Sequence, residues 1–353
     1  MPPAWRRLQF SFVLFWAAYF WLPTNSLAQS SWLLSSRLQS GLEYDGNIYE
    51  SSALNVAATA GRLLFQTRAE KNMARGRIDV DYTGALQIYP DYRRENKLLQ
   101  DLNGGLQWQA TGRFRFFARG QATLKLYLNN VTDYGTTTGI AGVGAAITPR
   151  IATELSVETG QLDYALGSDF DFTFKGAWLT LRFHPGSTLA WEAAVLQRQI
   201  NYPSRLALTG TGMLLSLPQN DDLTTFRLAA NYGRKYFLRA RLEAQRNRST
   251  RDIFDYDRAQ FHFLFGCNPA PRWLLRAAAV LQRKRYLVPS SPVSLPELDA
   301  EREQSNHVVV DVTRNLSGEA SLVLRLAYHN NETPVRGLFY RKVLLFTGFE
   351  IRF

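Results

Sequence analysis

The side chains best suited to acid–base chemistry are four histidines: His184, His262, His307 and His329. A histidine beside a serine and an acid could form a nucleophilic triad, whose members converge in space rather than in sequence. Nothing in the spacing marks such a triad, although a spatial one stays open as an alternative. No glycine-rich phosphate loop and no Cys/His metal spacing accompanies the histidines. We therefore predict a protein that is not an enzyme and that holds no metal and no cofactor.

Charged side chains recur at every second position, which points instead to ion chemistry in water. Arg239 and Arg241, for example, alternate with Leu238, Ala240 and Leu242. Because successive side chains of a strand point to opposite faces, each such segment has one charged face and one apolar face. The predicted water-facing set is basic at Arg115, Arg119, Lys125, Arg227, Arg239, Arg241, Arg276, Lys284 and Arg325, and acidic at Asp79, Asp81, Asp101, Glu154 and Glu158.

The same period of two runs through most of the chain after about Arg37 and predicts long β-strands. It is clearest in Arg77–Tyr89, Leu102–Ala110 and Phe116–Leu128. These runs last about 10 to 14 residues, which is longer than ordinary globular strands and right for a tilted membrane crossing. A soluble β-sandwich also alternates, but its strands are shorter.

The connections between these strands alternate in length. Tight turns are predicted at Thr111–Arg113, Pro149–Arg150, His184–Ser187, Gly233–Lys235, Asn268–Arg272 and Asn315–Gly318, and longer loops at Pro90–Lys97, Asn129–Thr138, Asn201–Leu223, Asn247–Asp257, Arg285–Ser305 and His329–Gly337. Short turns on one side and long loops on the other are typical of outer-membrane barrels. The sequence therefore predicts an all-β fold, a transmembrane antiparallel up-and-down β-barrel of about sixteen strands. Alternation is blurred in Leu54–Ala69 and Gly139–Thr148.

Aromatic residues are placed near the predicted strand ends. Tyr44, Tyr89, Tyr92, Tyr127 and Tyr328 fall near loops, and Trp108, Phe114, Phe183, Tyr236 and Trp273 fall near turns. Amphipathic rings at both interfaces form the girdles expected of a barrel in lipid.

The longest predicted loop, Asn201–Leu223, is apolar in its middle. An exposed apolar loop is unfavourable in water, so we expect it to pack on something. Three arrangements are open: a hairpin that extends its strands through Thr209–Gly212, a fold into the lumen, or contact with a partner.

The N-terminus predicts export. Arg6 and Arg7 precede the apolar run Phe10–Leu22, and Ser26–Ala28 offers small residues to a signal peptidase. We predict a signal peptide over 1–28, cleaved between Ala28 and Gln29, and a barrel over 29–353. Removal of the two arginines reduces the formal charge of +11 to +9. A basic chain attracts anionic solutes, membranes or nucleic acid, and export excludes nucleic acid as a partner.

The C-terminus has the pattern of a known assembly signal. Phe349, Ile351 and Phe353 share one face, and Phe353 is the final residue. This segment resembles the C-terminal signal of bacterial outer-membrane β-barrel proteins, which the barrel-assembly machinery reads. Gly348 also fits that pattern, whereas Phe346 stands where a polar residue is usual. The resemblance implies an outer-membrane location, contact with outer-membrane lipids and a transient assembly partner, and it names no substrate.

Two functions follow from a barrel of this size. Sixteen strands leave an aqueous channel, so the first is a porin-like pore for passive diffusion of small polar or anionic solutes. We expect its acidic residues on strands three, four and seven to face a basic wall on strands ten to fifteen; the alternative is that these charges pair. The second function is a barrel component of a surface export or envelope-assembly system with an unidentified polysaccharide or protein partner.

Overall fold

The structure is a computed structural model that describes residues 32–50, 54–127, 133–165, 171–208, 214–251, 254–287, 306–331 and 340–353, with the backbone alone at 206–208, 214–216 and 331. The predicted signal peptide and its cleavage site at Ala28 and Gln29 lie outside the described residues. The strands are β1 (Trp32–Asp45), β2 (Ala58–Met73), β3 (Gly76–Ile88), β4 (Lys97–Gln109), β5 (Phe114–Tyr127), β6 (Tyr134–Thr148), β7 (Ile151–Tyr164), β8 (Phe172–Phe183), β9 (Leu189–Leu208), β10 (Leu214–Gly233), β11 (Tyr236–Ser249), β12 (Tyr256–Cys267), β13 (Trp273–Tyr286), β14 (Asn306–Asn315), β15 (Ala320–Asn331) and β16 (Tyr340–Arg352).

Each strand pairs antiparallel with its neighbours in the chain, and β16 pairs with β1. The sheet therefore closes on itself, and the predicted up-and-down barrel of sixteen strands is confirmed. Closure satisfies the backbone of every strand, as a structure in hydrocarbon requires.

Contacts between strands two apart identify the inner face of this barrel. Gln87 Nε2 of β3 donates to Glu43 Oε1 of β1 at 2.6 Å, across β2. Arg198 of β9 reaches Glu158 of β7 at 2.5 Å, across β8. Side chains converge over an intervening strand only on the concave side of a curved sheet. Together with the cross-strand register, these contacts assign one side of every strand to the lumen.

The other side of each strand is an apolar outer surface. Leu42, Leu155, Phe226, Leu242 and Phe349 point outward, and each is more than half exposed. Such a surface would be unfavourable in water and suits contact with lipid tails. Among the helical segments within the described residues, none reaches the length and apolarity of a membrane-crossing helix.

Connections on the two rims of the barrel differ in length. β2 and β3 are joined through 74–75, and β6 and β7 through 149–150, whereas β3 and β4 are joined through 89–96 on the opposite rim. Short turns at one rim and longer loops at the other place the short turns in the periplasm. The chain is therefore an outer-membrane β-barrel.

The predicted aromatic girdles are correct in part. Seven rings do point outward near the rims: Tyr44, Trp108, Phe114, Phe183, Tyr236, Trp273 and Tyr328. Tyr89 is fully buried and Tyr127 faces the lumen, so their assignment to the lipid girdle is wrong. Tyr92 packs with Ile48 and Tyr89 at the mouth instead. Strand ends leave too few alternating neighbours to show which face a ring takes.

Several predicted loops are shorter than expected. The segment Asn201–Leu223 is a hairpin, because β9 continues to Leu208 and β10 begins at Leu214. Of the three arrangements open from the sequence, the extended hairpin is correct for the paired strands, and its predicted turn at Thr209–Gly212 lies outside the described residues. In Asn129–Thr138, β6 already begins at Tyr134.

Packing explains why Phe346 occupies a position at which the C-terminal signal usually has a polar residue. Its ring points inward and is 1 % exposed. A Cβ built on Gly41 would lie 2.9 Å from Phe346 Cε2, and one built on Gly348 would lie 2.6 Å from Cζ. The two glycines, directly paired across β1 and β16, therefore leave the space that the ring fills at the closing seam.

The terminal residue Phe353 completes this seam. Its N–H donates to Ser36 O at 3.0 Å, and its carbonyl accepts from Ser36 N at 2.8 Å. Its side chain points outward with Phe349 and Ile351. The three side chains therefore share the outer face of β16. Their recognition by the assembly machinery remains a prediction.

We expect Phe353→Asp to lower the amount of assembled barrel sharply, because it removes the terminal ring and puts a charge on the lipid face. Phe353→Tyr, which keeps the ring, is the matched control and should assemble normally. Heat-modifiable migration of outer-membrane fractions on gels measures the folded amount. Normal assembly of the aspartate variant would show that the terminal ring is not read.

Candidate functional site: the charged lumen wall

Basic side chains outnumber acidic ones, nineteen to thirteen, at the lumen-facing positions of the sixteen strands. The wall therefore carries a net positive charge while the outer belt carries almost none at mid-height. Charge on the lipid face is costly, which is why arginine collects on the inner face.

Every residue in the predicted water-facing set occupies a lumen-facing position. The basic members are Arg115, Arg119, Lys125, Arg227, Arg239, Arg241, Arg276, Lys284 and Arg325, and the acidic members are Asp79, Asp81, Asp101, Glu154 and Glu158. The predicted separation into facing acidic and basic walls is wrong. Arginines lie beside most of these carboxylates, as the paired alternative expected.

Glu154 of β7 is the centre of one such group. Arg115 Nη2 lies 2.9 Å from Glu154 Oε2, and Arg182 Nη1 lies at the same distance. Arg182 Nε also lies 3.1 Å from Glu192 Oε2. One row of charge thus runs from β5 to β9, and the carboxylate of Glu154 is matched by two guanidinium groups.

Glu158, one layer higher on β7, is held similarly. Arg198 Nε lies 2.5 Å from Glu158 Oε1, and Trp178 Nε1 donates to Oε2 at 2.8 Å. Trp178 also lies under Arg227, whose Cζ is 4.4 Å from the ring centroid. The tryptophan therefore connects the ion pair on β7 and β9 to the arginine of β10.

Two further carboxylates are each shared by two arginines. Glu243 Oε1 lies 2.7 Å from Arg227 Nε and 3.3 Å from Arg241 Nε. Asp311 lies 2.6 Å from Arg325 Nε and 3.5 Å from Arg276 Nη2. In both groups the carboxylate side chain is less exposed than the two arginines that share it.

The acidic residues of β3 and β4 are less tightly held. Asp79 lies 3.7 Å from Arg77, and Asp81 lies 3.7 Å from Arg68. Asp101 accepts hydrogen bonds from neutral groups, including Thr123 Oγ1 at 2.6 Å and Gln121 Nε2 at 2.9 Å. These carboxylates have longer or neutral contacts, in contrast to the close ion pairs of Glu154, Glu158 and Glu243.

Arg119 and Arg239 stand apart from these groups. Among the residues that the structure describes, neither has a carboxylate within ion-pairing distance, and both side chains are exposed on the lumen side. Arg119 lies over the ring of Phe117, with 5.5 Å from Cζ to the centroid. Two unneutralised guanidinium groups therefore face the lumen from β5 and β11.

A buried polar hub at the extracellular rim was missed by the sequence analysis. Asp45, fully buried, accepts from Asn47 N at 3.0 Å and from the Tyr89 hydroxyl at 2.8 Å. Lys342 Nζ lies 2.8 Å from Asp45 and 3.1 Å from Glu50. Burial, followed by the charge of Asp45, raises the pKa of Tyr89 well above its ordinary value, so the hydroxyl stays protonated and donates.

This hub joins β1, β16 and the loop after β3. The sequence signal was the Asp-Gly-Asn of 45–47, a turn former directly after a strand. Its partners could not be found from the sequence, because Lys342 and Tyr89 come from distant parts of the chain.

The histidines fall in three places. His262 lies against Arg241, with 2.9 Å from Nδ1 to Nη2, and the rings of His307 and His329 are 5.4 Å apart across β14 and β15. His184 lies in the turn before β9, where its N–H donates to Arg150 O. Within the described ranges, no three His, Cys, Asp or Glu side chains form a group that could hold a metal ion.

No protein-family model matches this chain, and no curated protein matches it significantly. Solved structures do resemble it. A bacterial polysaccharide outer membrane secretin is 8% identical, with 91% of this chain and 98% of that chain covered and a TM-score of 0.46. OpdQ of Pseudomonas aeruginosa is 11% identical, with 91% and 98% covered and a TM-score of 0.47. An anion-selective porin from Comamonas acidovorans is 12% identical, with 92% and 100% covered and a TM-score of 0.42.

Proposed function

We propose that this barrel is a passive outer-membrane channel for small polar solutes and that it prefers anions. The observation that carries the proposal is the excess of basic over acidic side chains on the lumen wall, with Arg119 and Arg239 exposed and unpaired among the described residues. Fixed positive charge around a water-filled path raises the local concentration of anions and lowers that of cations.

The arrangement of the remaining charges supports the same preference. Glu154, Glu243 and Asp311 are each matched by two arginines, so these acids offer little net attraction to cations. The less tightly paired acids Asp79, Asp81 and Asp101 lie on the two adjacent strands β3 and β4. These three acids are therefore outnumbered by the basic side chains of the wall.

Reversal potentials in planar bilayers under a salt gradient test this function. We expect wild type to conduct with anion preference and Arg119→Ser with Arg239→Ser to shift selectivity toward cations. The shift should shrink at high salt, because the Debye length falls from about 10 Å at 0.1 M to about 3 Å at 1 M. These two arginines make no ion pair in the described structure, so their loss should leave the barrel folded.

The matched control removes two lumen residues without changing net charge. Glu158→Gln with Arg198→Gln takes away one complete ion pair and should leave the reversal potential near that of wild type. A wild type without conductance would refute the channel. An unchanged reversal potential in the arginine variant would refute the proposed basis of selectivity.

A further inference from the structure

Arginines concentrate on one sector of the outer face, at the extracellular ends of β11 and β13. Even positions of β11 and odd positions of β13 point away from the lumen, and four of them at these ends are arginine: Arg246, Arg248, Arg283 and Arg285. Elsewhere within the described strands, the outer face of the extracellular half has two further cations, Lys175 on β8 and Arg341 on β16. We call the four arginines the arginine patch.

The arginine patch lies directly above the apolar belt. Arg246 is ten residues beyond Tyr236, and Arg283 is ten residues beyond Trp273; both rings point outward at the periplasmic ends of these strands. At about 3.3 Å per residue and a tilt of about 40°, ten residues rise about 25 Å, which is the height of the apolar band of such barrels. The patch is therefore at the level of the lipid headgroups of the outer leaflet.

Two of these arginines have acidic partners. Arg246 Nε lies 2.9 Å from Asp257 Oδ1, and Arg248 Nη1 lies 3.2 Å from Asp255 Oδ2. Asp222 of β10 is also opposite Arg248 in the strand register. The two arginine side chains are 62 % and 49 % exposed. Ion pairs as exposed as these contribute little stability, so an anion with better geometry can replace the carboxylate.

Arg283 and Arg285 have no such partner. Both residues are exposed, and neither makes an ion pair with an acid in the described parts of the chain. Asp257 is opposite Arg285 in the register, but its carboxylate lies against Arg246. Two guanidinium groups on one strand therefore present their donors outward, at headgroup level, without an anion.

An apolar groove of about 580 Å³ lies beneath the patch, on the outer face of β8 to β12. Its lining combines small and large apolar side chains from neighbouring strands: Ala193, Ala244 and Ala259 beside Leu179, Phe226 and Leu242. Ala244 is two residues below Arg246, and Ala259 is directly paired with Arg283. The groove therefore reaches the patch from the hydrocarbon side.

We propose that the arginine patch and this groove together bind a phosphorylated and acylated lipid of the outer leaflet. Guanidinium groups bind phosphate oxygens through paired, charge-assisted hydrogen bonds, a geometry that an ammonium group does not offer. Acyl chains fill the groove below, where they bury apolar surface. Charge at headgroup level and a groove at hydrocarbon level are in the same order as the head and tails of such a lipid.

A second copy of this chain fits the patch less well than a lipid does. Within the described strands, the outward acids of the extracellular half are Asp163, Asp222 and Asp257. Two of these already lie beside the patch on the same barrel. The outer face of a second barrel would therefore offer Asp163 as its one distant acid, whereas a lipid phosphate brings its charge to the level of the arginines.

Native mass spectrometry of the folded barrel in detergent tests this proposal, with lipid A as the probe. Lipid A is a glucosamine disaccharide that carries both phosphates and acyl chains. We expect wild type to retain lipid A and to bind its dephosphorylated form about tenfold more weakly, because the arginines then have no anion to bind. Equal binding of the two forms would overturn the proposal. Displacement of lipid A by an equal concentration of inorganic phosphate would also overturn it, since the acyl chains would then contribute nothing.

Substitutions test the patch and the groove separately. Arg283→Ser with Arg285→Ser should weaken lipid A binding about tenfold and leave the weaker binding of the dephosphorylated form unchanged. Ala193→Phe with Ala244→Phe fills the groove with side chains that suit the lipid face, so it should weaken the binding of both forms. Heat-modifiable migration confirms that each variant is folded.

The matched control is Arg341→Ser with Arg75→Ser, which removes the same charge from the outer face of β16 and from the turn before β3. It should bind lipid A like wild type. Normal binding by the Arg283→Ser, Arg285→Ser variant, or an equal loss in the control, would refute the patch. A barrel that forms dimers and retains no lipid A would overturn the proposal in favour of a second copy. None of these measurements depends on conductance, so the result is independent of the proposed channel.

Discussion

Lys342→Met should destabilise the folded barrel by about 3 to 5 kcal/mol, because it leaves the buried carboxylate of Asp45 without its cation. Asp45 is fully buried and Lys342 is 6 % exposed, so water cannot replace the lost partner. Tyr89 and Asn47 would still donate to Asp45, which keeps the loss within this range. The midpoint of heat-modifiable unfolding in detergent measures the change.

Two further variants make this prediction specific. Arg341→Met removes a neighbouring cation whose side chain is exposed, and it should change the midpoint little. Lys342→Met combined with Asp45→Asn removes both charges and should recover much of the stability, since the cost arises from the unpaired ion. Equal midpoints for Lys342→Met and wild type would show that the hub does not stabilise the seam.

Gly348→Val should prevent most of the chain from closing into a barrel. A Cβ at this position would lie 2.6 Å from Phe346 Cζ and 2.9 Å from Gly41 Cα, and nearer still to the carbonyl oxygen of Ser40. Two of these atoms belong to the backbone of β1, so no side-chain rotation relieves the overlap. An unclosed edge is not tolerated in lipid.

The folded fraction recovered from outer membranes tests this second prediction. Gly139→Val is the matched control, because a Cβ there meets nothing within 4 Å and points away from the lumen. We expect the control to assemble like wild type and Gly348→Val to be degraded or to remain unfolded. Normal assembly of Gly348→Val would mean that β1 and β16 do not need this close approach.

The fold was predictable because, in most strands, the alternation of polar and apolar residues shows which side faces the lumen and which side faces lipid. Along β3, Asp79 and Asp81 alternate with Ile78 and Val80, so the inner side is plain from one segment. In β2 the pattern blurs, since Leu64 points inward and Thr67 outward. In β6, glycines and threonines contribute little contrast between the faces. In β2 and β6, pairing with the neighbouring strands, rather than the local sequence pattern, determines which side faces the lumen.

The arrangement of charges was not predictable in the same way. That Arg198 faces the lumen follows from its own strand, but its contact with Glu158 depends on the register of β8 between them and on the curvature of the sheet. The periodicity of a single strand gives neither the register between strands nor the curvature of the sheet. For the same reason the sequence suggested separate acidic and basic walls, where the structure has shared ion pairs.

The sharing of carboxylates also bears on how this wall can change over generations. Glu154, Glu243 and Asp311 each connect two arginines, so a substitution at one member alters the environment of the other two, and effects within a group will not add. At these positions we expect sequence change to be tolerated mainly when several members of one group are replaced together. Arg119 and Arg239 stand outside such groups in the described structure. Single mutations there are the short evolutionary route by which descendants of this barrel could acquire a different ionic preference.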